Sequence, residues 1–99
     1  MTVTVADAPG RARYEASVHG GLAGFVVYRR EPGVITLVHT EVEPDYEGKG
    51  VGSALARAAL DEARAAGLRV VPACPFVAGW IDHHPDYDDL VLRSGIVTD

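Results

Sequence analysis

The stretch Tyr46-Glu47-Gly48-Lys49-Gly50-Val51-Gly52-Ser53-Ala54-Leu55 sets three glycines at alternate positions and runs directly into an alanine-rich segment. Glycines lack the Cβ that blocks close approach, so the backbone N–H groups of such a turn can converge on a phosphate lying at the positive end of the following helix. The sequence therefore predicts an anion cradle that feeds a helix. Two common phosphate loops do not match it. A Walker A loop ends in Gly-Lys-Ser/Thr, whereas Lys49 stands between glycines and Val51, not a hydroxyl, lies two places on. A dinucleotide fingerprint needs a further glycine where Ser53 or Leu55 stands and an acid roughly 20 residues later. Residues 69–73 carry no acid.

Downstream of the loop, Val51, Leu55, Ala59 and Ala63 recur at helical spacing and predict a helix over 51–66, with Arg57 and Asp61 as an exposed pair one turn apart. Gly67 suits the left-handed position that ends a helix. Residues 68–72 follow as a strand with too few polar side chains to be one-sided, which predicts a place inside the sheet. Upstream, 11–18, 22–30 and 34–42 read as an antiparallel meander, turned at His19-Gly20-Gly21 and Glu31-Pro32-Gly33, after a ragged start. Residues 34–72 then form a βαβ unit with parallel strands and a right-handed crossover. A second helix is expected over 76–84, closed by Pro85, and a last short turn or helix over 86–92.

Composition narrows the classes. A chain of 99 residues predicts one domain, 1–99, with a single core. A formal charge of −5 without a Lys/Arg cluster argues against nucleic acid as partner. No apolar run of about 18 residues and no leader is present, so a soluble, cytoplasmic protein with no membrane partner is expected. Cys74 is the single cysteine, and no disulfide framework can form. His83 and His84 are adjacent and would point about 100° apart on a helix, so no metal site is expected. Trp80 and Ile81 read as core. The acids Asp82, Asp86, Asp88 and Asp89 read as a solvated face near the open end of a cleft, where their charge would favour a cationic amine.

In a parallel strand pair, ligands bind outside the carboxyl ends, which here carry His39-Thr40-Glu41-Val42 and Ala73-Cys74-Pro75. A phosphate at residues 48–52 would direct the rest of its ligand towards the gap between Thr40 and Cys74.

The loop resembles the acyl-CoA pyrophosphate loop of the GNAT acetyltransferase superfamily, Gln/Arg-x-x-Gly-x-Gly/Ala, with Glu47 in the place usually held by Gln or Arg. The likeness extends through His39-Thr40-Glu41-Val42, residues 70–77, Trp80-Ile81 and His84-Pro85-Asp86-Tyr87 to the small single-domain GNAT-like subgroup, and covers nearly the whole chain. It implies an α+β acyl-CoA acyltransferase fold: a mixed sheet with an N-terminal antiparallel meander, a βαβ crossover and a C-terminal helix. It also implies acetyl-CoA as cosubstrate, bound by Thr40, Val42, Gly48, Lys49, Gly50, Val51, Gly52 and Ser53, and an amine of unknown identity as acceptor. The candidate catalytic residues are Glu41 as general base, His39 as its rival, and Cys74 as a nucleophile that would take the acetyl group and pass it on. The superfamily's tyrosine acid finds only Tyr87 downstream, beyond Pro85. A non-catalytic acyl-CoA binding or sensor module is the alternative, and a ligand-free interaction domain the third class.

Overall fold

Alternating burial marks a sheet with one face on the core: Tyr14, Ala16 and Val18 are buried, while Arg13, Glu15 and Ser17 between them are half-exposed. The computed structural model describes residues 1–92, in which five strands form one sheet in chain order, β1 (Thr4–Ala8), β2 (Arg13–Val18), β3 (Gly21–Glu31), β4 (Val34–Val42) and β5 (Arg69–Pro72). Pairs β1–β2, β2–β3 and β3–β4 are antiparallel, and β4–β5 is parallel. The helices are α1 (Val51–Ala65) and α2 (Pro75–Asp82), with single 3-10 segments at Pro9–Arg11, Pro44–Tyr46 and Pro85–Leu90.

Helix α1 buries Val51, Leu55, Ala56, Ala59, Leu60 and Ala63. Its alanines let the axis approach the sheet closely, and Leu55 and Leu60, both fully buried, each contribute about 1.5–3 kcal/mol by leaving water. Helix α2 lies on the same side, since Trp80 donates from its indole Nε1 to Ser53 Oγ of α1 at 2.8 Å. The loop between β2 and β3 is tight because His19 (φ 52°) and Gly20 (φ 80°) both take the left-handed region, the twist-compatible form of a hairpin turn.

Three expectations are corrected. The start of the chain is not ragged: β1 pairs with β2 from Thr4 to Ala8. Strand β5 is not interior but the last in the sheet, met on its outer side by a parallel bridge from Val91 to Val70, and Pro72 fits such an edge. Its apolar character comes from the helices packed over it rather than from strands on both sides. Arg57 and Asp61 do not meet as a simple surface pair; the Tyr87 hydroxyl stands between them, donating to Asp61 Oδ1 at 2.7 Å and accepting from Arg57 at 3.3 Å. Asp82, Asp86, Asp88 and Asp89 are all exposed, as expected of a solvated face, with Asp89 at 2.9 Å and the Asp86 carbonyl also at 2.9 Å from Arg64, in the last turn of α1.

A bulge decides which way the end of β4 faces. The β3–β4 register runs Tyr28 to Leu37 and then Val27 to His39, so Val38 is the extra residue and every side chain beyond it changes sides. Thr40 and Val42 therefore join Leu37 on the helix side. His39 and Glu41 look the other way, with Phe25 and Arg13: the His39 and Phe25 rings lie 6.5 Å apart and the Arg13 guanidinium sits 4.3 Å above Phe25.

Candidate acyl-CoA site

Each glycine of the loop answers a different geometric demand. Gly48 (φ 76°) and Gly50 (φ 85°) hold left-handed backbone that a side chain would strain, whereas a Cβ on Gly52 would stand 2.8 Å from the Phe76 ring. The first hydrogen bond of α1 runs from Ala54 N–H to the Gly50 carbonyl at 3.0 Å. The amides of Val51, Gly52 and Ser53 before it have no helical acceptor and lie where the helix dipole is positive. Beside them is a cleft of about 490 Å³.

Seven predicted residues border that cleft: Thr40, Val42, Gly48, Gly50, Val51, Gly52 and Ser53. Lys49 is exposed and is not among its walls. Tyr46, Glu47, Phe76 and Trp80 complete it and were not assigned from the sequence. Trp80 is both core, at 7% exposure, and cleft wall. Gly24 was also missed: a Cβ there would lie 2.6 Å from the Glu41 carbonyl and 3.2 Å from Val51, so this glycine lets the start of α1 settle against the sheet. Only contacts between distant segments reveal it.

The cleft reaches Thr40 and Val42 of β4, past the point where β4 and β5 part, and Cys74 is not among its walls. Their pairing ends at Leu37 and Pro72, after which Cys74 N–H reaches the Leu37 carbonyl at 2.9 Å and β4 runs on paired with β3 alone. The Cys74 thiol is buried and donates to Thr40 Oγ1 at 3.4 Å. Burial pushes its pKa up, but the Thr40 hydroxyl and the amides of Val77, Phe76 and Thr40 outweigh it, so the thiol is held below its ordinary value. Cys74 caps α2, which places the sulfur at that helix's N-terminus.

His39 Nε2 and Glu41 Oε2 are 3.0 Å apart, both exposed, on the opposite face of the sheet. With Nε2 carrying the proton that Glu41 accepts, Nδ1 is left as an acceptor. Tyr87 does fold back, but onto α1, where its hydroxyl is committed to Asp61. His83 and His84 each turn Nδ1 onto a backbone carbonyl, that of Gly79 at 3.0 Å and that of Trp80 at 2.7 Å.

A parallel strand pair that splays beside a glycine-led helix defines the acyltransferase class of fold. The sequence model of the GCN5-related N-acetyltransferase family matches residues 13–90, and the chain belongs to that family. No curated protein sequence matches it. Among solved structures it is similar to a GCN5-like protein from Staphylococcus aureus, with TM-score 0.69 and 22% identity over 90% of this chain and 87% of that one. It is also similar to the ribosomal-protein-alanine N-acetyltransferase of Brucella melitensis biovar Abortus 2308, with TM-score 0.58 and 26% identity over 88% of this chain and 65% of the other. Similarity to Ard1 from Thermoplasma volcanium has TM-score 0.53 and 26% identity over 60% and 41% of the two chains. The protein is thus a small GNAT-type acetyltransferase. No helix among the described residues is long and apolar enough to cross a membrane.

Proposed function

We infer that this chain transfers an acetyl group from acetyl-CoA to an amine. One observation carries this: the glycine-lined start of α1 and the end of β4 border one continuous space, with unpaired amides at one end and Thr40, to which the buried Cys74 thiol is bonded, at the other. The pyrophosphate would rest on the amides of Val51, Gly52 and Ser53, where charge-assisted hydrogen bonds and the helix dipole act together. Val42 and Trp80 wall the path of the pantetheine arm. Binding and orientation of this kind supply most of the rate advantage in acyl transfer between bound partners.

The amine would approach from the other face of the sheet, where His39 and Glu41 stand beyond the Val38 bulge. His39 Nδ1, with Nε2–H held by Glu41, takes a proton from the attacking ammonium, and the amine nitrogen then adds to the thioester carbonyl. The C–S bond breaks, and the proton still carried by the added nitrogen passes through water to the leaving thiolate of CoA, giving the amide and CoA thiol. Tyr87 has no part in this, since its hydroxyl proton is directed to Asp61.

The lowered pKa of Cys74 and its contact with Thr40 favour a second route. Here the Cys74 thiolate attacks the thioester, CoA thiolate leaves, and the amine displaces Cys74 from the resulting acyl-cysteine. The substitution Cys74→Ala separates the two. Acetyl transfer that continues in a natively folded Cys74→Ala supports the direct route; its loss, together with a protein mass raised by one acetyl group in wild type incubated with acetyl-CoA alone, supports the covalent one. If neither wild type nor variant acetylates any amine in a panel of peptides, polyamines and small amines while acetyl-CoA still binds, the chain is an acyl-CoA binding module instead.

A further inference from the structure

Ser53 is the third residue of α1, and its hydroxyl is used in an unusual way. A serine within a helix commonly returns its proton to the carbonyl one turn back, which here is that of Lys49. Among the described residues no such bond is made; the one partner of Ser53 Oγ is the indole Nε1–H of Trp80, which donates to it at 2.8 Å. A hydroxyl has a single proton and two lone pairs. With one lone pair filled by the indole, the serine proton has no protein acceptor, and Ser53 borders the cleft.

The indole itself has little freedom. The His84 ring stacks on it at 3.7 Å with 9° between planes, His84 Nδ1–H donates to the Trp80 carbonyl at 2.7 Å, and Tyr87 lies 5.4 Å from it. The Arg57 guanidinium is 5.2 Å from the same ring. Trp80 is thus an immobile donor whose N–H holds the Ser53 side chain in one rotamer.

We propose that Trp80 is a positioning residue for the anion site: by donating to Ser53 Oγ it turns the serine proton outward, onto a diphosphate oxygen of the acyl-CoA. The proposal rests on the acyl-CoA reading above and adds a residue whose ring forms the wall but whose N–H acts through another side chain. A phosphate oxygen is the acceptor that matches, because a charge-assisted O–H···O⁻ bond is about twice as strong as a neutral one and the oxygen is strengthened as a donor by the hydrogen bond it accepts.

The test is calorimetric titration of wild type, Ser53→Ala, Trp80→Phe and the double variant with CoA and with pantetheine, which lacks the diphosphate. Ser53→Ala should weaken CoA about tenfold with pantetheine binding unchanged, and Trp80→Phe should weaken CoA about three- to fivefold beyond any loss of pantetheine binding caused by the altered ring, with the ratio of CoA to pantetheine affinity in the double variant no lower than in Ser53→Ala. Because the chain has a single tryptophan, replacing it biosynthetically with the N–H-free isostere β-(3-benzothienyl)alanine changes Trp80 alone and preserves the ring if Trp80→Phe loosens the core. The isostere should reproduce the Trp80→Phe loss. Unchanged CoA affinity with the isostere, or losses that multiply in the double variant, would overturn the positioning role while leaving the acyl-CoA site intact. Absence of CoA binding by wild type would overturn both.

Discussion

Two glycines of the same loop should lose CoA affinity alike on substitution by alanine but differ in stability. At Gly52 the backbone is ordinary helix, so Ala gains about 0.5–1 kcal/mol of helix preference, but its Cβ stands 2.8 Å from Phe76 Cζ and 3.3 Å from Cε2. Ordinary contact begins at 3.4 Å, so the ring must retreat by at least 3.4 − 2.8 = 0.6 Å. Phe76 is 44% exposed and can swing outward at a rotamer cost of about 0.5–1.5 kcal/mol, which roughly cancels the helix gain. At Gly50 nothing lies within 4 Å, yet φ is +85°, a conformation that costs Ala about 1–2 kcal/mol. Thermal melts should therefore show Gly52→Ala within about 4 °C of wild type and Gly50→Ala lower by about 5–10 °C. Calorimetry with CoA should show both weakened about tenfold or more, Gly52→Ala because the methyl group and the displaced ring alter the cleft wall. Gly52→Ala that binds CoA as wild type does, or that melts as low as Gly50→Ala, would refute the assignment of close approach to one glycine and backbone strain to the other.

Thiolate absorbance reports Cys74 alone, since it is the single cysteine. Its titration midpoint should lie below that of an ordinary free cysteine, and Thr40→Val should move it upward by removing a hydrogen bond to the thiolate. Because the folded value is the lower one, ionisation of Cys74 adds stability that is present above the unfolded thiol's pKa and is lost as pH falls through the folded value; wild type should exceed Cys74→Ala most at alkaline pH. Tyr87→Phe removes the hydroxyl between Asp61 and Arg57 and should cost about 1–2 kcal/mol in denaturant melts while leaving acetyl transfer unchanged. A fall in turnover without a fall in stability would give Tyr87 the acid role that its geometry denies.

The parts legible in the sequence were those written in local pattern. Strand β4 runs Val34–Val42 as read, and α1 begins at Val51 because a glycine loop and a regular apolar face both mark the spot. Strand β1 escaped because Thr-Val-Ala-Asp-Ala offers no large apolar side chain; as an edge strand it leaves most of its surface exposed and needs none. The edge position of β5 escaped because a short apolar run looks the same whether strands or helices cover it. In the site, the glycines could be read, but the bulge at Val38 could not, and that single extra residue turns His39 and Glu41 away from the helix side and Thr40 towards it. The Trp80–Ser53 bond spans two helices, and Gly24 acts against Glu41 and Val51, so neither follows from neighbours in the chain.

The central claim is that the start of α1 holds the anionic part of an acyl-CoA. Titration calorimetry of acetyl-CoA into wild type and into Gly50→Asp tests it most directly, because the open space at Gly50 admits the new carboxylate, Asp tolerates left-handed backbone better than most residues, and its charge opposes a diphosphate. Binding by wild type that disappears in a folded Gly50→Asp is the predicted result. Equal binding by both, or none by wild type, would contradict the account.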